Sequence, residues 1–289
     1  MTDNGMKERR AALVALIEEA LDARLPGADT EPVRVHRAMR HAVNGGGKRL
    51  RPLLSLSVAE MLGLDPRDCL DAACAVETAH TASLILDDLP CMDNAAERRG
   101  RPCTHKEYGA ATAILAALAL LSESFHLVAS NAERLGGPER AVAAVALLRD
   151  ALGTHGLVGG QHLDLLHTGG APVSLETLTS IHGEKAGALF VASALLPGVL
   201  SGLDAAGLDA LRRFASRLGL AFQISDDLID ARHGGEDAGK CTFASLLGAD
   251  GAASEVDRLV DGALEALAPW GAAAAALQRM AEYVRTRKN

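Results

Sequence analysis

The sequence predicts an all-α fold, because alanine and leucine dominate the chain and β-branched residues are sparse. No stretch shows the apolar–polar alternation that is typical of a half-buried strand. The glycine-rich breaks, such as Gly45-Gly46-Gly47, are each too short to be an interdomain linker. We therefore expect the 289 residues to form one helical domain over 1–289.

Ten helices are expected in the order of the chain, and two positions carry clear start signals. Asp65 is a capping residue in front of Pro66, and Ser174 stands three residues before Thr177. Most segments are apolar nearly all round, which favours a bundle whose central helices are buried on every side, most clearly at 69–86. The expected spans are 6–25, 32–43, 48–62, 67–89, 109–132, 138–167, 174–200, 205–231, 252–267 and 272–286.

The charge balance and the cysteine content indicate which ligands the protein could bind and in which cellular compartment it would be found. The chain carries 29 basic against 37 acidic residues and only 3% aromatic residues, which argues against nucleic-acid binding. Its five cysteines form no Cys-x-x-Cys pair, which favours a reduced, cytoplasmic location. No signal-peptide pattern is found, and the apolar runs 110–121 and 188–200 are shorter than a membrane span. We therefore expect no stable insertion into a membrane.

One stretch, SLILDDLPCMDNAAERRGRP, places three carboxylates close to two adjacent arginines. Asp87 and Asp88 end an apolar run, and two unit charges about 4 Å apart interact by ~4 kcal/mol at an effective dielectric near 20. The pair is therefore costly unless cations neutralise it. Arg98 and Arg99 could do so through local salt bridges, or both groups could share a metal-bound anion. For Asp93 to join the pair, the chain must bulge after the helix.

A second acidic motif, FQISDDLID, ends another apolar helix far away in sequence. Asp226, Asp227 and Asp230 stand at i, i+1 and i+4, so their carboxylates share one helical face and would repel one another without a cation. Hard oxygen ligands at this density suit Mg²⁺, which sits between carboxylates and substrate phosphates. Solvated helix ends are the alternative for either motif alone, but the repetition of the pattern favours a metal site.

Basic residues follow a glycine turn in the stretch NGGGKRLRP. We expect Lys48, Arg49 and Arg51 to lie on the first turn of a helix, where the helix dipole and basic side chains would bind an anion. The stretch is not a Walker A loop, since no Ser or Thr follows the lysine and no strand precedes it. Lys185 and Lys240 are further candidate cations, with an ordinary solvated position as the alternative.

Together these stretches resemble the trans-isoprenyl diphosphate synthase (polyprenyl synthetase) family over about 34–249. The matching pieces, in order, are GGGKRLRP, HTASLILDDLPCMDNAAERRGRPCTH, GLVGGQHLDL, GEKAGALF and AFQISDDLID. The four-residue gap before Asp93 is similar to the bacterial form of the first motif. The stretch 81–99 is most similar to bacterial carotenoid-pathway geranylgeranyl diphosphate synthases. The resemblance implies an orthogonal helical bundle around a deep central cavity, and a homodimer.

The resemblance also implies a role for each matching position. In the family, the two acidic motifs face each other across the cavity and hold Mg²⁺ on the diphosphate of an allylic substrate (dimethylallyl, geranyl or farnesyl diphosphate). The matching residues are Asp87, Asp88, Asp93, Asp226, Asp227 and Asp230. The allylic diphosphate is also bound at positions that match Arg98, Lys185, Gln223 and Lys240. The isopentenyl diphosphate is bound at positions that match Lys48, Arg51, His80 and Arg99. The supporting positions match Gln161 and Asp164.

The implied activity is that of a Mg²⁺-dependent trans-prenyltransferase, which condenses isopentenyl diphosphate head-to-tail with an allylic diphosphate. Geranylgeranyl diphosphate is the expected product and farnesyl diphosphate the alternative. Small side chains in the helix before Asp87 would leave room for a long tail: Ala82, Ser83, Ala79 and Thr78. In relatives that stop at farnesyl, the position of Ala82 is commonly aromatic, and close helix packing is the other reason for small residues. A stop for the longer tail would come from Leu121 or Phe125 on a facing helix.

Two departures from the family pattern bear on diphosphate binding. Ala186 replaces the usual threonine after Lys185, and the loop 231–239 lacks the lysine that relatives often carry. Both changes remove a contact that relatives can make to the diphosphate, and the resemblance does not imply that activity is lost.

A different class of protein fits part of the pattern. Two Glu-x-x-His pairs are spaced as in di-iron carboxylate bundles, which also need a lone inward glutamate on each of two further helices. The pairs are Glu77 with His80 and Glu123 with His126, and the lone candidates are Glu60 and Glu184. That arrangement leaves the aspartate and arginine clusters unexplained. A non-catalytic partner subunit is disfavoured by the two intact acidic motifs, and a terpene cyclase would have little use for a second diphosphate site.

Overall fold

The computed structural model describes residues 3–167, 173–232 and 241–287, which are almost entirely helical. The α-helices are α1 (Asp3–Arg24), α2 (Val33–Val43), α3 (Leu50–Met61), α4 (Leu70–Asp87), α5 (Thr104–Tyr108), α6 (Ala110–Leu152), α7 (Leu157–His167), α8 (Leu175–His182), α9 (Ala188–Ser201), α10 (Ala205–Arg232), α11 (Phe243–Ala266) and α12 (Ala275–Thr286). Two 3₁₀ helices lie at Pro66–Cys69 and Ala268–Ala274, and a π-helical turn lies at Gly183–Gly187. The predicted all-α class is confirmed.

The helices pack into two compact units. The first contains Met1–Glu60 and Leu64–Val145, and the second contains Met61–Gly63 and Ala146–Asn289. The first acidic motif and the glycine turn belong to the first unit, and the second acidic motif belongs to the second. The single domain that the sequence suggests stays a prediction.

Helix α4 forms the centre of the first unit and is buried along most of its length. Many of its buried positions are alanines, and those fully excluded from solvent include Ala72, Ala73, Ala75, Ala79 and Ala82. Small side chains allow neighbouring helices to pack close to α4. The 3₁₀ turn before α4 begins as the sequence predicts, with the Asp65 side chain accepting a hydrogen bond from the Arg67 N–H and Pro66 in the first turn. The expectation of a central buried helix is therefore confirmed.

A buried amide fixes the start of α4. The Asn131 side chain on α6 is fully buried, donates to the Asp68 carbonyl at 2.7 Å and accepts from the Ala72 N–H at 2.9 Å. The first N–H groups of a helix have no partner within the helix, so a side chain must supply one when the helix end is buried. Asn131 does this for α4.

The loop after α4 contains a short antiparallel pair of strands, β1 (Glu97–Arg98) and β2 (Arg101–Pro102), which the sequence analysis did not expect. Arg98 pairs with Arg101, so Arg99 and Gly100 form a two-residue turn. Both turn residues have positive φ, 56° and 73°, as in the type I′ turns that suit two-residue hairpins. The alternation that signals a strand needs about four residues, so a pair this short leaves no such signal.

In the second unit, α10 packs against α9, α11, α12 and the π-helical turn. Phe190 on α9 and Phe214 on α10 are fully buried, and the Phe190 ring lies 5.6 Å from the Phe222 ring between centroids. Helix α8 begins as predicted, because the Ser174 hydroxyl accepts from the Thr177 N–H at 3.1 Å. The C-terminal half of α10 packs against the π-helical turn at Gly219, which lies close to Gly187.

Several helix boundaries differ from the prediction. The predicted break between 109–132 and 138–167 is confirmed by the non-helical backbone of Gly137, but α6 ends at Leu152 and α7 begins only at Leu157. The predicted helix 174–200 contains the π-helical turn, and α11 begins at Phe243, ahead of the predicted span 252–267. A positive φ at glycine interrupts the helix at Gly137, and Gly248 interrupts α11 in the same way with a φ of 71°.

Three helical stretches are long and apolar enough to cross a membrane, judged by length and composition alone: Pro66–Asp87, Ala110–His167 and Leu175–Ser201. The statement that the apolar runs are too short is therefore wrong. The most apolar windows of the first and third stretches are 78% and 67% buried inside the protein, against 39% for the second. Packing against other helices thus accounts for much of the apolar character of the first and third.

We predict that Asn131→Ala lowers the free energy of unfolding by about 1–3 kcal/mol, because it leaves the buried Ala72 N–H and Asp68 carbonyl without this partner. Thermal denaturation followed by circular dichroism measures the loss. Ser130→Ala changes the exposed neighbouring position and is the matched control, with an unchanged melting temperature expected. Equal melting temperatures for Asn131→Ala and the wild type would contradict this role.

Candidate active site

The first acidic motif lies at the C-terminal end of α4. Helix α4 ends at Asp87, and the Asp88 N–H extends the ladder by donating to the Leu84 carbonyl at 3.1 Å. The chain then turns back, so that the Asp93 N–H donates to the Asp87 carbonyl at 2.9 Å. The predicted bulge is confirmed, and the backbones of Asp87 and Asp93 are in contact.

The two adjacent arginines have different partners. Arg98 forms a bidentate ion pair with Asp88, whose side chain is only 5% exposed: Nε lies 2.8 and 2.9 Å from the two carboxylate oxygens, and Nη2 lies 2.6 Å from Oδ1. Arg99, at the positive-φ position of the β1–β2 turn, donates to the Gly46 carbonyl in the glycine turn. A local salt bridge therefore explains Arg98, while the hairpin directs Arg99 to a separate site.

The basic residues after the glycine turn do not share one helical turn, so that prediction is wrong. Helix α3 begins at Leu50, and Arg49 just before it has a φ of 45°, which a helix does not allow. The Arg49 side chain is buried in ion pairs, whereas Lys48 is exposed and Arg51 half-buried. Lys48 and Arg51 are therefore the two cations of this stretch that remain candidates for anion binding.

His80 on α4 lies next to Arg51, with Nη1 of Arg51 3.1 Å from Nε2 of His80. Burial, together with the charges of Arg51 and Arg99, lowers the pKa of His80 well below its usual range. The imidazole is therefore neutral near pH 7. Because arginine can only donate, Nε2 is the acceptor and the proton lies on Nδ1. The structure thus brings together two of the predicted isopentenyl diphosphate ligands.

The second acidic motif lies near the C-terminal end of α10 in the second unit. The Asp226 carboxylate accepts from Arg287 at 2.6 Å, and Asp227 accepts from the Phe243 N–H at 3.2 Å. Burial raises the pKa of Asp227 to about 7, with the charges of Asp226 and Asp230 adding to the rise and the Phe243 hydrogen bond opposing it. The carboxylates share α10 as predicted, and Asp227 is partly protonated near neutral pH.

Lys185 lies in the π-helical turn between α8 and α9. Its Nζ atom is 2.5 Å from the Asp164 carboxylate on α7. Gly160 makes this approach possible, because a Cβ atom there would lie 2.2 Å from the Lys185 backbone nitrogen. The next residue, Gln161, is buried, and neither polar atom of its amide has a hydrogen-bond partner in the part of the chain that the structure describes. Such an amide is available to a ligand.

Gln223 and Lys240 are two further predicted site residues. Gln223 is half-buried on α10, one helical turn before Asp227. Lys240 lies outside the described residues, as does most of the loop 231–239 that lacks a lysine. Ala186, in the place of the usual threonine, is buried in the π-helical turn directly after Lys185.

Comparisons with known proteins identify the family. The polyprenyl synthetase model matches residues 32–246. The chloroplastic geranylgeranyl pyrophosphate synthase of Capsicum annuum is 43% identical over 273 residues, which cover 90% of this chain and 73% of the relative. The chain belongs to the polyprenyl synthetase family.

Solved structures of related proteins agree with this family assignment. An FPP/GFPP synthase from Zymomonas mobilis, in its apo form, has a TM-score of 0.90 and 36% identity, and covers 99% of this chain and 100% of its own. A geranyltransferase from Legionella pneumophila has a TM-score of 0.89 and 30% identity, and covers 99% of each chain. The predicted family, helical fold and trans-prenyltransferase activity are confirmed. The particular resemblance to bacterial carotenoid enzymes stays a prediction.

The residues expected to border the growing tail lie on α4 of the polyprenyl synthetase. Thr78, Ala79, Ala82 and Ser83 are all buried. The Thr78 hydroxyl donates to the Cys74 carbonyl at 3.0 Å, and the Ser83 hydroxyl donates to the His80 carbonyl at 2.8 Å. Both hydroxyl protons are therefore satisfied within the helix, and this side of α4 offers small and largely apolar surface.

The acidic side chains fit a hard divalent cation such as Mg²⁺. Asp87 is half-buried, Asp93 and Asp230 are exposed, and Asp227 would release its proton to a bound cation because its pKa is only about 7. Within the described ranges, no three His, Cys, Asp or Glu side chains form a ready-made metal cage. Mg²⁺ commonly takes one or two carboxylates and completes its shell with water and substrate phosphates, so the donor set suits it.

Both Glu-x-x-His pairs contain a residue whose position does not suit the di-iron alternative. The Glu77 carboxylate is buried in an ion pair with Arg49 at 2.7 Å, and His126 is exposed on α6 instead of turned into a helical core. The two Glu-x-x-His pairs therefore do not provide four inward ligands.

Sequence reasoning missed one cation of the second unit. Arg287, after α12, is fully buried at its side chain and donates to the Ser225 hydroxyl and the Phe222 carbonyl, each at 2.8 Å, as well as to Asp226. Its guanidinium carbon lies 3.9 Å from the Phe222 ring centroid. Since 61 residues separate Arg287 from Asp226, no local pattern links them, and only the tertiary fold shows the pair.

We predict that Gly160→Ala lowers turnover by about 10²-fold, because an added Cβ would meet the Lys185 backbone and force the π-helical turn away from α7. Gly183→Ala is the matched control, since it alters the same turn but its Cβ would meet no other atom within 4 Å. Steady-state kinetics measures turnover, and circular dichroism checks that both variants fold. Equal turnover in the two variants would contradict the role of the close approach.

We predict that Asp227→Asn stabilises the metal-free chain, and that the gain increases as the pH rises from about 4 to about 7. The pKa of Asp227 is raised from 3.8 to about 7 in the folded chain, so over this range the folded state holds a proton that the unfolded state has lost. Deprotonation with rising pH therefore costs stability, and asparagine avoids it. Chemical denaturation in EDTA measures the gain, with the exposed Asp230→Asn as the comparison. A gain that does not change with pH would contradict the shifted pKa.

Proposed function

We propose that the chain condenses isopentenyl diphosphate head-to-tail with an allylic diphosphate to make geranylgeranyl diphosphate. The observation that carries the proposal is the arrangement in the first unit: Arg98 is bound to Asp88 at the acidic helix end, while Arg99 is bound at the glycine turn. One group offers carboxylates for a cation-bound diphosphate, and the other offers a basic loop for a second diphosphate. The Capsicum annuum relative, 43% identical, is named for this product.

In this proposal the allylic diphosphate is bound through Mg²⁺ by residues of both acidic motifs. The metal ligands would be Asp87, Asp88, Asp93, Asp226, Asp227 and Asp230. When bound, Mg²⁺ supplies electrostatic stabilisation of the departing diphosphate. The same diphosphate would be held by Arg98, Lys185, Gln223 and Lys240, with support from Gln161 and Asp164. Because Asp88 is the bidentate partner of Arg98, it also orients that arginine.

The isopentenyl diphosphate is bound by the basic loop of the first unit. Its ligands would be Lys48, Arg51, His80 and Arg99. The lysine and the arginines supply positive charge. His80 is neutral, so it adds no charge, but its Nδ1–H can donate a hydrogen bond. This site needs no metal, which distinguishes it from the allylic site.

The reaction begins when the allylic C–O bond breaks and leaves a delocalised carbocation. The cation must meet only the double bond of isopentenyl diphosphate, so the cavity must be apolar and exclude water. Buried alanines such as Ala79 and Ala82 on α4 meet that need. The double bond attacks the cation to form the new carbon–carbon bond, and a proton then leaves the isopentenyl unit. The released diphosphate is the proposed acceptor of that proton.

The product length is assigned from the small residues of α4. Ala82 is fully buried one turn before Asp87, and an alanine there leaves space for a twenty-carbon tail. Leu121 and Phe125, half-buried on α6, are the candidates for the residue that stops the tail. Farnesyl diphosphate is the second candidate product, because the Zymomonas mobilis relative, 36% identical, is an FPP/GFPP synthase.

The enzyme would be a homodimer that acts in the cytoplasm. Helix α6 exposes Ile114, Leu115 and Leu118, whose exposed fractions are 41%, 54% and 56%. Their spacing of i, i+1 and i+4 places them on one side of the helix. A second copy of the chain would remove this apolar surface from water. Analytical ultracentrifugation of the wild type distinguishes the dimer from the monomer.

The proposed function is tested by incubating the purified chain with Mg²⁺, isopentenyl diphosphate and one primer at a time: dimethylallyl, geranyl or farnesyl diphosphate. Mass spectrometry should find a twenty-carbon diphosphate in the presence of Mg²⁺ and none in excess EDTA. Absence of any prenyl product with all three primers would overturn the proposed function. A product that stops at fifteen carbons would replace geranylgeranyl with farnesyl diphosphate.

We predict that Ala82→Phe shifts the main product from twenty to fifteen carbons, because an aromatic ring at this buried position fills the space that the tail needs. The first condensation, from dimethylallyl to geranyl diphosphate, should keep its rate. Ala82→Ser, which adds little volume, is the control and should still make the twenty-carbon product. An unchanged product from Ala82→Phe would show that α4 does not limit the tail.

A further inference from the structure

A buried ion-pair cluster in the first unit, here called the clamp, consists of Glu18, Arg49 and Glu77. The Arg49 side chain is fully buried, with Nε 2.7 Å from Glu18 Oε1 and Nη1 2.7 Å from Glu77 Oε1. Nη2 donates to the Val43 carbonyl at 2.6 Å and to Glu18 Oε2 at 3.2 Å. One guanidinium thereby joins α1, the last residue of α2 and the middle of α4.

Stability alone is a weak explanation for the clamp. The desolvation penalty of a buried ion pair often equals or exceeds the attraction between its charges. Arg49 also has a φ of 45°, a left-handed conformation that is unfavourable for an L-residue. Strained residues of this kind persist where the surrounding structure requires them, and they concentrate at functional sites. The strain and the burial therefore indicate that the clamp has a functional role, which its position in the chain helps to identify.

The clamp closes the glycine turn between α2 and α3. Gly46 and Gly47 have φ values of 80° and 136°, which only glycine adopts easily, so the turn itself is permissive and does not fix its own shape. Val43 precedes the turn and Arg49 ends it, and the hydrogen bond between them ties the two ends together. Lys48, just before Arg49, is held by this closure.

Two links join the start of α3 to the same part of α4. Arg49 contacts Glu77, and two residues later Arg51 lies 3.1 Å from His80, which is about one helical turn beyond Glu77. The first link is buried, and the second consists of side chains that we assign to substrate binding. If Arg49 moved relative to α4, Arg51 would therefore also move relative to His80.

We propose that Glu18, Arg49 and Glu77 are positioning residues for the isopentenyl diphosphate: the clamp holds Lys48 and Arg51 beside His80 and does not itself touch the substrate. This inference rests on the proposed function, in which those three residues bind the isopentenyl diphosphate. A preorganised site loses less conformational freedom on binding, so the clamp raises affinity for this one substrate. The allylic substrate, which depends on the acidic motifs, does not require it.

Glu77→Gln tests the proposal, because it keeps the shape and an acceptor oxygen and removes the charge. We expect KM for isopentenyl diphosphate to rise about tenfold, while kcat and KM for the primer change less than about twofold. The dissociation constant of isopentenyl diphosphate, measured by calorimetry without Mg²⁺, should rise by the same factor. Asp71→Asn is the matched control: it breaks the ion pair with Arg24, which joins the same helices α1 and α4, and should change none of these values.

Glu18→Gln is a second variant that keeps the test decisive if Glu77→Gln does not fold, because the Glu18 side chain is 43% exposed. An unchanged KM for isopentenyl diphosphate in a folded clamp variant would overturn the proposal, and so would an equal rise of KM for both substrates. These results, with an active wild type, leave the proposed function intact. A wild type that forms no prenyl product would overturn both.

Discussion

Like-charged carboxylates at the ends of apolar helices are the constraint on which both units are built. In the first unit, Asp88 is buried, and its negative charge would destabilise the fold without the bidentate ion pair to Arg98. In the second, Arg287 neutralises Asp226, and burial keeps Asp227 partly protonated by raising its pKa to about 7. Each unit thus offsets part of the negative charge of its acidic motif without a bound cation.

Helix α4 serves the two proposed substrates of the enzyme at once. His80 and Asp87 are seven residues apart, which is two helical turns, so they lie on the same side of α4 and about 10 Å apart along its axis. In the proposed function His80 binds the isopentenyl diphosphate and Asp87 the allylic diphosphate, so one helix would set the spacing between the two diphosphates. Its buried small residues, such as Ala82, are those that we propose border the carbon chains.

The sequence predicts the helices, the acidic motifs and the family, because apolar periodicity and short motifs are local signals. It does not predict which arginine meets which partner. Arg98 and Arg99 bind different partners because Arg99 lies in a two-residue turn with positive φ. A hairpin this short produces no alternation of apolar and polar residues in the sequence. Arg49 and Arg287 find their partners through tertiary contacts, the latter across 61 residues. Packing decides these pairs, and no spacing along the chain encodes them.

The central claim is that the acidic motifs bind diphosphate through a divalent cation, while the basic loop binds it directly. Calorimetric titration of a non-reactive thio analogue of the allylic diphosphate, with Mg²⁺ and again in EDTA, tests this most directly. We predict tight binding only with Mg²⁺ and its loss in Asp87→Asn and Asp226→Asn, whereas isopentenyl diphosphate binds under both conditions. Tight binding of the analogue in EDTA, or unchanged binding in either variant, would contradict the account.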